Sequence, residues 1–194
     1  MTWNQEKLGN EASDLSALQW SVTALAEQMS RLPAVPAGDR DAAAAAIGEL
    51  VWQVTIVDAT IVRYYPDVYD TVREALPAVE RQAVDGTMAG LRFVRNQMRG
   101  AGSPARFFAA AGQGNSQGAG DGRAAADWPW DTVAPPPRGG LPLRGRAWEL
   151  DRYRAYQSFL AGHSTAETFG RAAAFLITVA DAARAEAAVS QPAG

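Results

Sequence analysis

Residues 43–61 read AAAAIGELVWQVTIVDATI, and this stretch decides the fold class. The β-branched residues at its centre would by themselves favour a strand. However, a 3-4 apolar spacing, typical of one helix face, runs through the whole stretch without a turn, so we predict a helix from Asp39 to Tyr65. Apolar residues off the stripe indicate burial on two faces, in the middle of a bundle; they are Val51, Ile56 and Val62. The stripe itself consists of Ala43, Ile47, Leu50, Val54, Val57 and Ile61.

Similar spacing outward from this segment predicts helices on both sides. Gly162 suits a left-handed position at the end of the fifth helix, and Ser164 to Glu167 form a capping box for the sixth. Gly86 and Gly90 either allow a close helix crossing or are simply tolerated. We therefore predict one all-α domain over residues 1–194, a bundle of five or six helices. The other helices span about Asn10–Leu32, Val68–Leu76, Pro77–Met98, Ala147–Ala161 and Ser164–Val189.

A Gly/Pro-rich stretch, residues 99–146, separates the fourth and fifth predicted helices. It contains ten glycines and six prolines, and its segment 112–122 is of low complexity, so we expect a flexible insertion loop. Trp128 and Trp130 follow in the second half. Because two exposed tryptophans would be costly, we expect that part to pack back on the bundle.

The composition excludes several classes of protein. The net charge is −3, which argues against a polycation acting on nucleic acid or anionic lipid. The chain has no cysteine and one histidine, His163, so thiolate sites and sites with two imidazoles are excluded, and we expect no metal and no cofactor. With no run of 18 apolar residues and no apolar leader, we expect a cytoplasmic protein without a membrane span.

Three arginines lie close together on the fourth predicted helix, at Arg92, Arg95 and Arg99, with Asn96 beside them. At this spacing the cations share one helix face or adjoining faces and repel each other unless an anion is near. Two interpretations stay open: an anion-binding surface for nucleic acid or a nucleotide, or a solvated basic face.

The candidate acids are Glu49 and Asp58 of the central helix, with Asp85 as a further option. Asp58 adjoins the apolar stripe, and a buried carboxylate needs a partner. Arg63 or an arginine of the fourth helix can supply it, which makes a structural salt bridge the simpler interpretation and catalysis the alternative. His163 lies in the turn after the fifth helix, where a cap or surface role is more common than catalysis.

The segment Gly90-Leu-Arg-Phe-Val-Arg-Asn-Gln-Met-Arg99 resembles the motif region of the HEPN family (higher eukaryotes and prokaryotes nucleotide-binding). That motif has an arginine, often a polar residue, and a histidine four to six residues after the arginine. Arg95 and Asn96 match its start. The histidine position falls on Gly100, Ala101 or Gly102, so the catalytic histidine is absent. The Trp128-Pro-Trp130 loop and the Tyr153 to Phe169 segment resemble a group of uncharacterised actinobacterial proteins.

The resemblance implies a small helical bundle, in a family that includes ribonucleases of toxin–antitoxin and defence systems. It maps the family's supporting acid to Asp58 or Glu49 and implies a homodimer, with Arg95 and Asn96 near the two-fold axis. Without the histidine we expect an inactive module that binds RNA, a nucleotide or a protein partner. The alternatives are a purely structural or protein-interaction bundle, and a ribonuclease in which His163 joins Arg95 and Asn96.

Overall fold

The computed structural model describes residues 3–35, 39–101, 104–107, 128–136 and 143–190. In these ranges the chain forms α-helices, two short 3₁₀ turns and two isolated β-bridges. The predicted all-α bundle is therefore confirmed. The helices are α1 (Trp3–Arg31), α2 (Arg40–Tyr64), α3 (Pro66–Ala75), α4 (Ala78–Ala101), α5 (Leu143–Phe159) and α6 (Thr165–Ser190).

Helix α2 lies at the centre of the bundle, as its apolar stripe predicts, and packs against α1, α3, α4 and α6. Every residue of the predicted stripe is buried. Of the three off-stripe residues, Val51 is buried, but Ile56 and Val62 are 43% and 44% exposed. Their predicted burial is wrong because the neighbouring helices leave these two side chains uncovered.

The apolar character of α2 also satisfies a second criterion. Its segment Asp41–Tyr64 is long and apolar enough to cross a membrane, while half of its most apolar window is buried inside the bundle. The core helix of a soluble protein passes the same test.

The junction between α2 and α3 is a single residue, Tyr65, with φ −135° and ψ 47°. Proline lacks the N–H that would continue the ladder, and it disfavours helical geometry in the preceding residue. Pro66 therefore ends α2, as predicted, but it is also the first residue of α3. The predicted cap at Asp67 is wrong, because α3 begins one residue earlier and has no side-chain cap.

Helices α4 and α5 make the most extensive contact in the bundle, and two glycines of α4 allow it. A Cβ atom added to Gly86 would lie 2.1 Å from the ring of Phe159. One added to Gly90 would lie 2.6 Å from Leu160 Cδ1 and 3.2 Å from the Cα atom of Tyr156. These two glycines are thus required by a close helix crossing, and the alternative that they are merely tolerated is wrong.

The segment 128–136 packs on the bundle as an extended strap, which confirms the expectation for the tryptophan pair. Trp130 is 1% exposed, and its backbone pairs with the α5–α6 turn through His163 O and Gly162 N at 3.0 and 2.8 Å. Trp128 is partly buried against the core. The remainder of the predicted flexible stretch, including Gly112–Gly122, lies outside the described residues.

Several predicted helix ends are wrong. α1 begins at Trp3 and α5 at Leu143, because the residues before their apolar stripes are also compatible with helix. α4 extends to Ala101, so the predicted loop is shorter at both ends. Gly162 has φ 82°, as predicted. The capping box is only half formed: Ser164 Oγ accepts from Glu167 N, while the Glu167 side chain contacts His163 and Arg171 instead.

Candidate functional site

A buried ion pair joins α2 to α4 beneath the arginine face. The Nε and Nη2 atoms of Arg92 donate to the two carboxylate oxygens of Asp58, each at 2.7 Å. Asp58 is 3% exposed. The predicted partner for this carboxylate, an arginine of the fourth helix, is confirmed, and the alternative partner Arg63 instead lies over the ring of Tyr64. A bidentate pair of this kind holds both side chains in one geometry.

The surroundings of Asp58 oppose its ionisation. Burial raises the pKa of the Asp58 carboxyl above its ordinary value, and the charge and hydrogen bonds of Arg92 offset this only in part. The Tyr69 hydroxyl lies 3.5 Å from Asp58 Oδ1. Burial, followed by the charge of Asp58, raises the pKa of Tyr69 to about 12. Asp58 therefore anchors the helices and offers no free carboxylate for chemistry.

Arg95 has no such carboxylate partner. Its guanidinium carbon lies 4.8 Å from the ring centre of Trp52, and its Nε atom is buried without a hydrogen-bond partner. Among the described residues Arg95 forms no ion pair, so its charge is held at the surface by an aromatic face instead of an acid.

Asn96 is turned away from Arg95 into a polar network with α5. Asn96 Nδ2 and Gln97 Nε2 each donate to a different oxygen of Glu149, both at 3.1 Å. Arg106 Nη2 donates to Gln97 Oε1 at 2.6 Å. Glu149 is 4% exposed, so these amide groups satisfy a buried carboxylate, and Asn96 is occupied structurally.

A fourth arginine, Arg152 of α5, joins the cluster. Its guanidinium carbon lies 3.3 Å from the ring centre of Trp148, and Trp148 is 56% exposed. Burial, followed by repulsion from the positive charge of Arg92, lowers the pKa of Arg152 to about 10, and the charge of Arg95 lowers it further. Arg92, Arg95 and Arg152 therefore form one cationic cluster, in which only Arg92 has a direct carboxylate partner within the described residues.

The other predicted site residues lie apart from this cluster. Arg99 is exposed near the end of α4. Glu49 is exposed on α2 and, within the described residues, pairs with none of the arginines, while Asp85 pairs with Arg73. The predicted support of the arginine face by Glu49 or Asp85 is therefore wrong. His163 Nδ1 lies 3.2 Å from Glu167 Oε2 and, within the described ranges, makes no hydrogen bond to Arg95 or Asn96.

Sequence reasoning missed four members of the site: Trp52, Trp148, Glu149 and Arg152. Trp148 and Arg152 are four residues apart, a spacing that places them on one helix face. That signal says nothing about which neighbouring helix they meet. Their approach to Arg95 depends on the α4–α5 crossing.

Within the described part of the chain, no group of three or more His, Asp or Glu residues could hold a metal ion. Comparison of the chain with protein-family models, with curated proteins and with solved structures found no match. The geometry of the cluster itself therefore carries the functional argument.

The ion pair predicts a pH-dependent stability defect. Arg92→Met keeps an apolar stem but removes the two effects that lower the pKa of Asp58, so that pKa rises further. A carboxyl with a raised folded-state pKa favours the fold below its ordinary value of 3.8, and this contribution is lost as pH rises through the folded-state value. We expect the stability deficit of the variant to grow from pH 4 to pH 8, by about 1.4 kcal/mol per unit of pKa difference.

Urea unfolding at several pH values measures this deficit. The double variant Arg92→Met/Asp58→Asn is the control, because it removes the titrating carboxyl and should show a deficit nearly independent of pH. A single-variant deficit that stays constant or shrinks towards pH 8 would contradict the prediction.

Proposed function

We propose that this chain is a HEPN-like helical module without ribonuclease activity, and that its Arg95–Arg152 face binds the phosphates of single-stranded RNA. The observation that carries the proposal is Arg95, whose charge has no carboxylate partner among the described residues. A partly desolvated guanidinium gains most from an anion that supplies both charge and hydrogen-bond acceptors.

Two arginine–tryptophan stacks support RNA over a free anion. Arg95 lies over Trp52 and Arg152 over Trp148, so the face combines cations with aromatic rings. Single-stranded nucleic acids bind such surfaces through backbone phosphates and base stacking, the latter worth about 1–3 kcal/mol per base. The exposed ring of Trp148 offers such a stacking surface.

The groups needed for cleavage are not together. General-base catalysis needs a group that titrates near neutral pH within hydrogen-bond reach of the reacting hydroxyl, and it contributes about 10²–10⁴-fold. His163 pairs with Glu167, Asn96 with Glu149, and Asp58 with Arg92. The alternative of a ribonuclease using His163 therefore has no support in this geometry, and the proposed role in a toxin–antitoxin or defence setting is binding.

The proposal includes a homodimer formed through α4, as the family resemblance implies. Two copies of the cationic cluster would repel each other across a two-fold axis unless an anion lay between them. We therefore propose that RNA strengthens pairing. Sedimentation with and without RNA reports this.

The experiment is binding of a short oligouridylate at low salt, followed by fluorescence anisotropy, with the RNA checked for cleavage on a gel. We expect weak, salt-sensitive binding and intact RNA. Arg95→Gln and Arg152→Gln should each weaken binding and reduce the salt slope by about 0.7 for each phosphate that the variant no longer neutralises. Arg154→Gln is the matched control, because Arg154 lies on the same helix, is 73% exposed and pairs with Asp151.

Three outcomes would count against the proposal. RNA cleavage abolished by Arg95→Gln would restore the ribonuclease alternative. Equal effects of Arg95→Gln and Arg154→Gln would mean that binding is not located at the cluster. No binding at low salt would favour a protein-interaction bundle, a second candidate supported by Trp20 on α1, which is 73% exposed.

A further inference from the structure

A groove with a volume of about 410 Å³ lies between the end of α2, α3 and α4. This volume is within the range of sites for small molecules. Met88 and Tyr69 line it, and Tyr69 is itself held edge-on against Phe175 at 5.1 Å. Val62 and Pro66 add apolar surface. The groove thus combines an apolar lining with charged groups.

The charged groups of the groove do not balance. Arg73 donates from Nε and Nη2 to the two oxygens of Asp85, each at 2.6 Å. Arg92 is engaged in the same way by Asp58. Asp70 also lines the groove and lies close enough to Arg73 for its charge to raise the pKa of that guanidinium. Asp70 is exposed and, within the described residues, has no ion pair of its own.

This arrangement disfavours an anion as the occupant. Each guanidinium already meets a carboxylate in bidentate geometry, the strongest arrangement available to it. An anion would have to compete with Asp58 or Asp85 in a groove that holds two guanidinium groups against three carboxylates. A cation meets the opposite situation, because Asp70 offers unneutralised negative charge beside the apolar surface.

We propose that this groove binds a small organic cation, an amine with an apolar body. Asp70 accepts hydrogen bonds from the ammonium group, while Val62, Pro66 and Met88 contact the apolar part. This site is separate from the RNA face of Arg95 and Arg152, and it stands or falls independently of the proposed function.

The probe is 2-phenylethylamine, followed by amide NMR shifts on the full chain. We expect saturable shifts confined to residues 62–73 and 85–92. The neutral analogue 2-phenylethanol should bind about fivefold more weakly, and the anion 3-phenylpropanoate more weakly still, because a charge-assisted hydrogen bond to an exposed carboxylate adds only modestly to affinity.

Asp70→Asn should reduce amine affinity to that of the alcohol without changing the melting temperature, because Asp70 is exposed. Glu74→Gln is the matched control, an exposed acid one turn along α3 that does not line the groove. Equal loss of affinity in the two variants, tighter binding of the anion, or no groove shifts at millimolar amine would overturn the inference.

Discussion

Val54→Asp is expected to prevent folding. Val54 is 0% exposed at the centre of α2, in a core formed with the surrounding helices, and nothing there offers the new carboxylate a partner. Burying an unpaired polar or charged group costs several kcal/mol, while the total stability of a domain is about 5–15 kcal/mol. We expect the variant protein to be insoluble, or to show helical circular dichroism without a cooperative thermal transition.

The matched control is Ile56→Asp, two residues along the same helix. It introduces the same side chain into the same apolar segment, but Ile56 is 43% exposed, so the carboxylate can remain in water. We expect a loss of about 1 kcal/mol or less in the free energy of unfolding. Cooperative melting of the Val54 variant, or equal damage by both substitutions, would show that α2 is not the central helix.

Trp130→Ala is expected to cause the largest loss of stability among variants that still fold. The Trp130 ring packs against Phe169 and Tyr156, with ring centres 5.9 and 6.3 Å away. Its Nε1 atom donates to Thr168 Oγ1 at 2.9 Å. Truncating a buried tryptophan costs about 3–5 kcal/mol. The strap 128–136 would lose its main anchor on the α5–α6 turn as well as its share of the core.

Urea unfolding of Trp130→Ala measures this loss, with Trp20→Ala as the control for removing an indole. Trp20 is 73% exposed on α1, so its removal should change the free energy of unfolding by about 0.5 kcal/mol or less. Similar values for the two variants would mean that the strap contributes little to the fold.

The sequence alone predicted the elements whose signals are local. The 3-4 spacing identified α2, and Gly162 marked the end of α5 because only a residue without a side chain adopts that conformation freely. The adjacent tryptophans indicated that the strap returns to the core. Helix starts were less accurate, because a terminal turn without apolar residues has the same composition as a loop.

Local pattern also predicted part of the site. It placed Arg92, Arg95 and Arg99 on one helix and indicated that Asp58 needs a cation from a neighbouring helix. It could not distinguish the three arginines, which differ only in the direction that each takes from α4. A rotation of that helix by one residue would have given Asp58 a different partner.

What the sequence by itself determined is the helical class, the central position of α2 and the presence of a basic face, since each follows from spacing within one segment. Only the tertiary structure decided that Arg92 is committed to Asp58 while Arg95 is not, and that Arg152 and Trp148 of α5 join the same face. Those relations depend on how α4 crosses α5 over Gly86 and Gly90. The crossing is set by packing between residues distant in the chain, which no periodicity within either helix encodes.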